Sequence, residues 1–144
     1  RAYGAFINQA TQLLTDNKLA EADSLVDDGL KRYPESPELL LIACESAFRK
    51  QKLGQAEKLC VQAGVVGDGN ARVHFLLGSL LASSQKIPAA IAALKKSISL
   101  DTKIPEAWTT LAQLYKLRDQ TKELEQLRAD YQRLYNKPLA ENQR

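Results

Sequence analysis

The chain has no methionine, one histidine, one tryptophan and two cysteines among its 144 residues. These shortages exclude several classes of protein. One histidine and two cysteines do not supply the ligands of a structural zinc site, and two cysteines are not a disulfide framework. No apolar run approaches the roughly 20 residues that span a bilayer, and nothing at the N-terminus reads as a signal peptide. The chain begins at Arg1 and lacks methionine throughout, as expected of a processed or excised piece. A soluble protein is expected, cytoplasmic or in an exported compartment. The net charge of +3 is too small to argue for nucleic acid by itself. Its distribution is uneven: residues 1–36 hold four basic and six acidic side chains, residues 71–104 five basic and one acidic.

What the chain does have is a period. Shifted by 34, small residues align as Ala10, Cys44, Gly78 and Ala112. A second column reads Ala22, Ala56, Ala90 and Leu124; a third reads Gly29, Ala63, Ser97 and Tyr131. A bulky column, Phe6, Leu40, His74 and Trp108, precedes the first. The units run over about 3–36, 37–70, 71–104 and 105–138, and each divides into two helical patterns. First helices are predicted near 3–16, 37–50, 71–84 and 105–118, second helices near 19–31, 53–65, 87–100 and 121–135. Pro37, Pro88 and Pro105 sit near helix starts, where a missing N–H costs nothing. Ser36 and Asn70 are the expected N-caps of the second and third units.

A 34-residue helix-turn-helix with Trp108, Leu111, Ala112 and Tyr115 in its fourth first helix resembles the tetratricopeptide repeat, TPR. Leu77, Gly78, Ala90 and Leu94 in unit three, and Ala10, Ala22 and Pro34 in unit one, carry the same resemblance. The closing proline is present only as Pro34, and Leu124 replaces an alanine. The small columns mark where the two helices of a unit cross closely. The resemblance implies an all-α fold, a right-handed superhelical α-solenoid of four repeats over residues 1–138, followed by a polar tail at 139–144. Gln9 and Gln12 on the first helix, and a last helix with one narrow apolar stripe, suit the two ends of such an array.

Residues that could carry chemistry are few. His74 occupies a framework position and is expected to be structural. Cys44 and Cys60 fall on facing helices of unit two and are expected to be buried free thiols, with a disulfide as the alternative if the domain is exported. The stretch GDGN at 67–70 lacks the ligand spacing of a calcium loop and the lysine of a phosphate loop, and reads as an inter-repeat turn. No enzyme activity, catalytic residue, metal or cofactor is expected. Lys86, Lys95, Lys96 and Lys103 read as a solvated face, so no RNA partner is expected either.

The resemblance implies that the first helices line a concave groove that holds a peptide or helix of a protein partner. Carried over by position, the groove takes Ile7, Thr11 and Leu14 from unit one and Leu41, Glu45, Phe48 and Arg49 from unit two. Unit three supplies Arg72, Phe75 and Ser79, and unit four Thr109, Gln113 and Lys116. Ile7, Leu14, Leu41, Phe48 and Phe75 are read as apolar anchors free of packing duties, with Arg49, Arg72 and Lys116 orienting acidic groups. Thr11 and Glu45 stand where a chaperone C-terminal carboxylate would want asparagines, so that ligand is not expected. The expected role is a scaffold or assembly factor. The alternatives are a homo-oligomerising module and a regulatory accessory domain of a larger protein.

Overall fold

The structure, a computed structural model, describes residues 2–141. Its described residues form eight helices and no strand: α1 (Tyr3–Thr15), α2 (Leu19–Arg32), α3 (Pro37–Arg49), α4 (Leu53–Val66), α5 (Ala71–Ser83), α6 (Ile87–Leu100), α7 (Pro105–Leu117) and α8 (Thr121–Tyr135). The sequence pattern predicts these bounds to within a residue at each end. Within the array they divide at Asp68 and Gly69 into two compact units, one holding α1–α4 and the other α5–α8.

Local chemistry starts and stops the helices. Ser36 Oγ accepts the Leu39 N–H at 3.1 Å, and Asn70 Oδ1 accepts the N–H groups of Arg72 and Val73 at 3.0 and 3.2 Å. Both caps satisfy donors that a helix start leaves unpaired. The turns inside the hairpins repeat as strictly as the helices. Asn17, Gln51, Gln85 and Asp119, spaced by 34, all have φ between 53° and 64°. After each, an N–H reaches back five residues: Lys18 to Leu13, Lys52 to Ala47, Lys86 to Leu81 and Gln120 to Tyr115, at 2.8–2.9 Å. This left-handed closure pairs the last carbonyls of a helix and turns the chain sharply. Glycine is the usual residue there, yet none of the four is glycine.

The small columns lie where helices cross. Ala10, Cys44, Ala112, Ala22, Ala56 and Ala90 are all fully buried. At Gly78 a Cβ would stand 2.7 Å from Leu94 Cγ, so α5 and α6 approach closer than any side chain allows. Gly29 is similar, with Leu39 Cδ1 at 2.9 Å from the missing Cβ. Around these crossings the first unit buries Phe6, Leu14, Val26, Leu39 and Ile42. The second buries Leu94, Trp108, Leu111, Tyr115, Leu124 and Tyr131. Each such side chain stabilises the fold by roughly 1.5–3 kcal/mol. Trp108 is fixed further by its indole N–H on the Thr102 carbonyl at 3.0 Å and by the Tyr131 ring, edge-on at 5.3 Å.

Two expectations need correction. Cys44 and Cys60 are not free thiols but a disulfide between α3 and α4, with Cα atoms 5.5 Å apart. Cys44 sits in the small-residue column where α3 and α4 cross, and Cys60, one turn beyond Ala56, faces it from α4 within bonding distance. Cys44 Sγ also lies 2.9 Å from the Ala56 carbonyl oxygen; bonded to Cys60 it has no proton to donate, so this is a packing contact. The second correction concerns the C-terminal segment. Leu139 is 8% exposed and part of the second unit's core, so the segment from 139 is not simply a polar tail; residues 142–144 lie outside the described part.

Candidate functional site

The first helices pair within each unit, α1 beside α3 and α5 beside α7. Their exposed faces are where the sequence places its candidates, and burial sorts them. On α1 and α3, Thr11 and Arg49 are exposed, while Ile7 and Glu45 are half-buried. Leu14, Leu41 and Phe48 are buried at 5–9% exposure. These three are therefore core residues rather than anchors waiting for a ligand, and Ile7 also packs against the first unit's core. The 3.6-residue period cannot separate the side of a helix that meets its neighbour from the side just beyond it.

Arg49 has an internal duty as well. Its guanidinium donates to the Leu14 carbonyl at 2.5 Å, near the end of α1, where the Asn17 N–H also bonds, and pairs with Glu45 one turn back. The expected orienting cation thus ties α3 to α1.

On α5 and α7 the candidates are more open. Arg72 and Gln113 are exposed; Phe75, Ser79 and Thr109 are half-buried. Phe75 and Thr109 hold equivalent positions one period apart, as do Ser79 and Gln113. Phe75 packs one side against the core of its unit, and the Arg72 guanidinium lies 5.7 Å from its ring centroid. Lys116 is exposed but engaged: its Nζ meets Glu141 at 2.7 Å.

That contact belongs to a larger arrangement which sequence reading missed. Asn136 ends α8 in the left-handed region, at φ 52° and ψ 38°, and residues 137–141 return along α7 and α8 without regular structure. Leu139 inserts into the core of the second unit. Arg128 on α8 grips Glu141 with two parallel bonds, from Nε at 2.7 Å and Nη2 at 2.9 Å. Lys116 on α7 completes the clasp. The hydrogen bonds from Arg128, then that from Lys116, hold the Glu141 carboxyl down at about 2, against the effect of burial. The only sequence signal is Leu139 itself, a lone apolar residue in a polar stretch.

A second feature lies in the first unit, an open recess of about 620 Å³ beside Tyr3, Arg32, Tyr33, Pro34 and Pro37. Tyr3 and Tyr33 stand edge-on with centroids 5.0 Å apart. The Tyr3 hydroxyl bonds to Ser36 Oγ at 2.6 Å and donates to Glu38. Burial, then the Glu38 hydrogen bond, pushes the Tyr3 phenol up to about 12. Among the described residues no three histidine, cysteine or acidic side chains gather as metal ligands, and no helix is long and apolar enough to cross a membrane.

No protein-family model matches the chain, and no curated protein matches it in sequence. Solved structures do match. PilF of Pseudomonas aeruginosa is 18% identical with a TM-score of 0.75, covering 93% of this chain and 61% of that one. The chain thus spans about three fifths of the PilF structure. The first TPR domain of Spaghetti (RPAP3), bound to the HSP90 peptide SRMEEVD, is 19% identical with a TM-score of 0.64, covering 81% of this chain and 93% of that one. YrrB, described as a TPR protein with an unusual peptide-binding site, is 19% identical with a TM-score of 0.64, covering 91% and 68%. At these identities the likeness is one of fold. The chain has the fold of tetratricopeptide-repeat proteins, four helical hairpins in tandem.

Proposed function

We propose that this four-hairpin chain is a protein-interaction module that holds a peptide or helical segment of a partner against the exposed faces of its first helices, as a scaffold or assembly factor. The observation that carries the reading is the Arg72–Phe75 pair on α5, an aromatic ring left partly open beneath a cation. An apolar anchor beside a positive charge suits a segment with an apolar side chain next to an acidic one. Ser79, Thr109 and Gln113 add adaptable hydrogen-bonding groups on α5 and α7. The peptide bound to RPAP3 and the peptide-binding site of YrrB, two of the similar structures, support this kind of role. A chaperone C-terminal carboxylate is a poor candidate for the α1–α3 face, because Glu45 there would repel it. The Cys44–Cys60 bond supports work in an oxidising compartment.

The test is capture of partners from native extract by the wild-type chain and by an Arg72→Glu, Phe75→Ser variant of unchanged helicity. Leu41 and Phe48 are unsuitable targets, since both are buried. A partner lost with the variant, and cross-linked to α5 or α7 in the wild type, supports the reading. A partner kept by both removes it from this face. Self-association is the second reading, favoured by Val61 and Val65, exposed at 66% and 73% one turn apart on α4. Sedimentation across a concentration range separates the two.

A further inference from the structure

The clasp at the end of the second unit has the features of a recognition site more than of a structural join. Two cations from different helices converge on one carboxylate, whose side chain is only 11% exposed, and an apolar position two residues earlier is buried beside it. The Arg128 contact is bidentate, the geometry that reads a carboxylate rather than merely attracting one. The segment that fills the site has no regular structure, and among the described residues no backbone hydrogen bond ties 137–141 to the helices. Side chains alone hold it: one leucine and one glutamate. A pocket for one apolar side chain and a pair of cations for one carboxylate are the elements by which a short peptide motif is recognised. Asn136, with its left-handed backbone, ends α8 and sets residues 137–141 off from it.

We propose that the surface formed by α7 and α8, with Lys116 and Arg128 on its rim, is a binding site for a non-helical protein segment bearing a leucine two residues before a carboxylate, and that residues 137–141 are its built-in, displaceable occupant. The site does not depend on the α5–α7 face proposed above, though it shares α7 with it. A partner segment of the same pattern competes with Leu139 and Glu141 for the same recess. While the occupant is seated, Lys116 is neutralised; once it leaves, Lys116 and Arg128 form a positive pair open to the incoming carboxylate. The class of partner follows from the occupant's own chemistry, Leu-x-Glu or Leu-x-Asp in a segment without helix.

The experiment uses the full chain and a fluorescent peptide of sequence LYNKPLAENQ, this chain's residues 134–143, followed by anisotropy. The double substitution Leu139→Ser, Glu141→Gln empties the site. It is expected to bind the peptide at least tenfold more tightly than wild type does, because the wild-type site is already filled. A peptide with glutamine in place of the glutamate should bind the emptied variant at least tenfold more weakly, and Lys116→Glu with Arg128→Glu added to that variant should abolish binding. A folded double variant that ignores the peptide, or binds both peptides equally, overturns the proposal. Should the double variant lose its helicity, Glu141→Gln alone leaves Leu139 in the core and decides the matter. It must bind the glutamate peptide several-fold more tightly than wild type, and equal binding overturns the proposal.

Discussion

Cys44 and Cys60 join the two helices of the second hairpin at the level where the other hairpins place their small crossing residues. The bond closes a loop of 16 residues in sequence separation, and both sulfurs are shielded, with the cysteines at 0% and 3% exposure. The same column that keeps helices close in the other three hairpins by smallness alone is cross-linked here.

Removing that bond should destabilise the first unit. Closing a loop of this length in the unfolded chain contributes roughly 3 kcal/mol in the chain-entropy model. Cys60→Ser is expected to lower the unfolding free energy of α1–α4 by about that much, and the denaturant midpoint with it. Denaturant unfolding with and without reductant checks this, and identical midpoints would mean the cross-link does not constrain the unfolded chain.

At Gly78, two effects oppose each other. Alanine favours a helix over glycine by about 1 kcal/mol, but its Cβ would sit 2.7 Å from Leu94 Cγ and 3.3 Å from the Ala90 carbonyl oxygen. Leu94 is fully buried and has nowhere to retreat, so overpacking of roughly 1–3 kcal/mol should prevail. Gly78→Ala is expected to destabilise the second unit by up to about 2 kcal/mol. A thermal shift upward would show that α5 and α6 separate without cost.

The four left-handed turn residues lead to a prediction of the opposite sign. Gln85 holds φ at 63°, where a side chain costs roughly 1–2 kcal/mol relative to glycine. Glycine also gives the unfolded chain more freedom, which offsets part of the gain. Gln85→Gly should therefore stabilise the chain by up to about 1 kcal/mol, and Gln51→Gly likewise. Urea midpoints that fall instead would mean that side-chain contacts of these glutamines outweigh the backbone strain.

Glu141 makes the seating of the C-terminal segment dependent on acid. Its carboxyl titrates near 2 when clasped, against 4.5 when free. A depressed carboxylate pKa contributes stability that is fully present above the free value and lost as pH falls through the clasped one. The segment should thus loosen between about pH 4.5 and pH 2 and remain seated at neutral pH. Side-chain NMR shifts of Leu139 and Glu141 report it. Glu141→Gln should abolish that pH dependence, whereas a dependence that persists in the variant would have another origin.

The helices and their turns were legible because their causes are local or nearly so. A period of 34, prolines and Ser36 and Asn70 at helix starts, and small residues at the crossings are all short-range requirements of a helical hairpin. They bring with them the expected places of Ala112, Gly78 and Ala90. The first-helix faces were not legible in the same way. Leu14, Leu41 and Phe48 satisfy the same spacing whether they face a partner or the interior, and only the angle at which helices pack decides between these. The state of Cys44 and Cys60 depended on a distance across the hairpin rather than on their positions along it.

By itself the sequence determined the repeat, the helix bounds and the close crossings, because period and residue size act within one hairpin. Tertiary structure alone decided that Arg49 serves the end of α1, that two cysteines meet, and that Glu141 returns to Lys116 and Arg128. Each of these joins groups far apart in the chain through contacts of a few ångströms, and no pattern along the sequence encodes a contact that depends on how separate elements come to rest together.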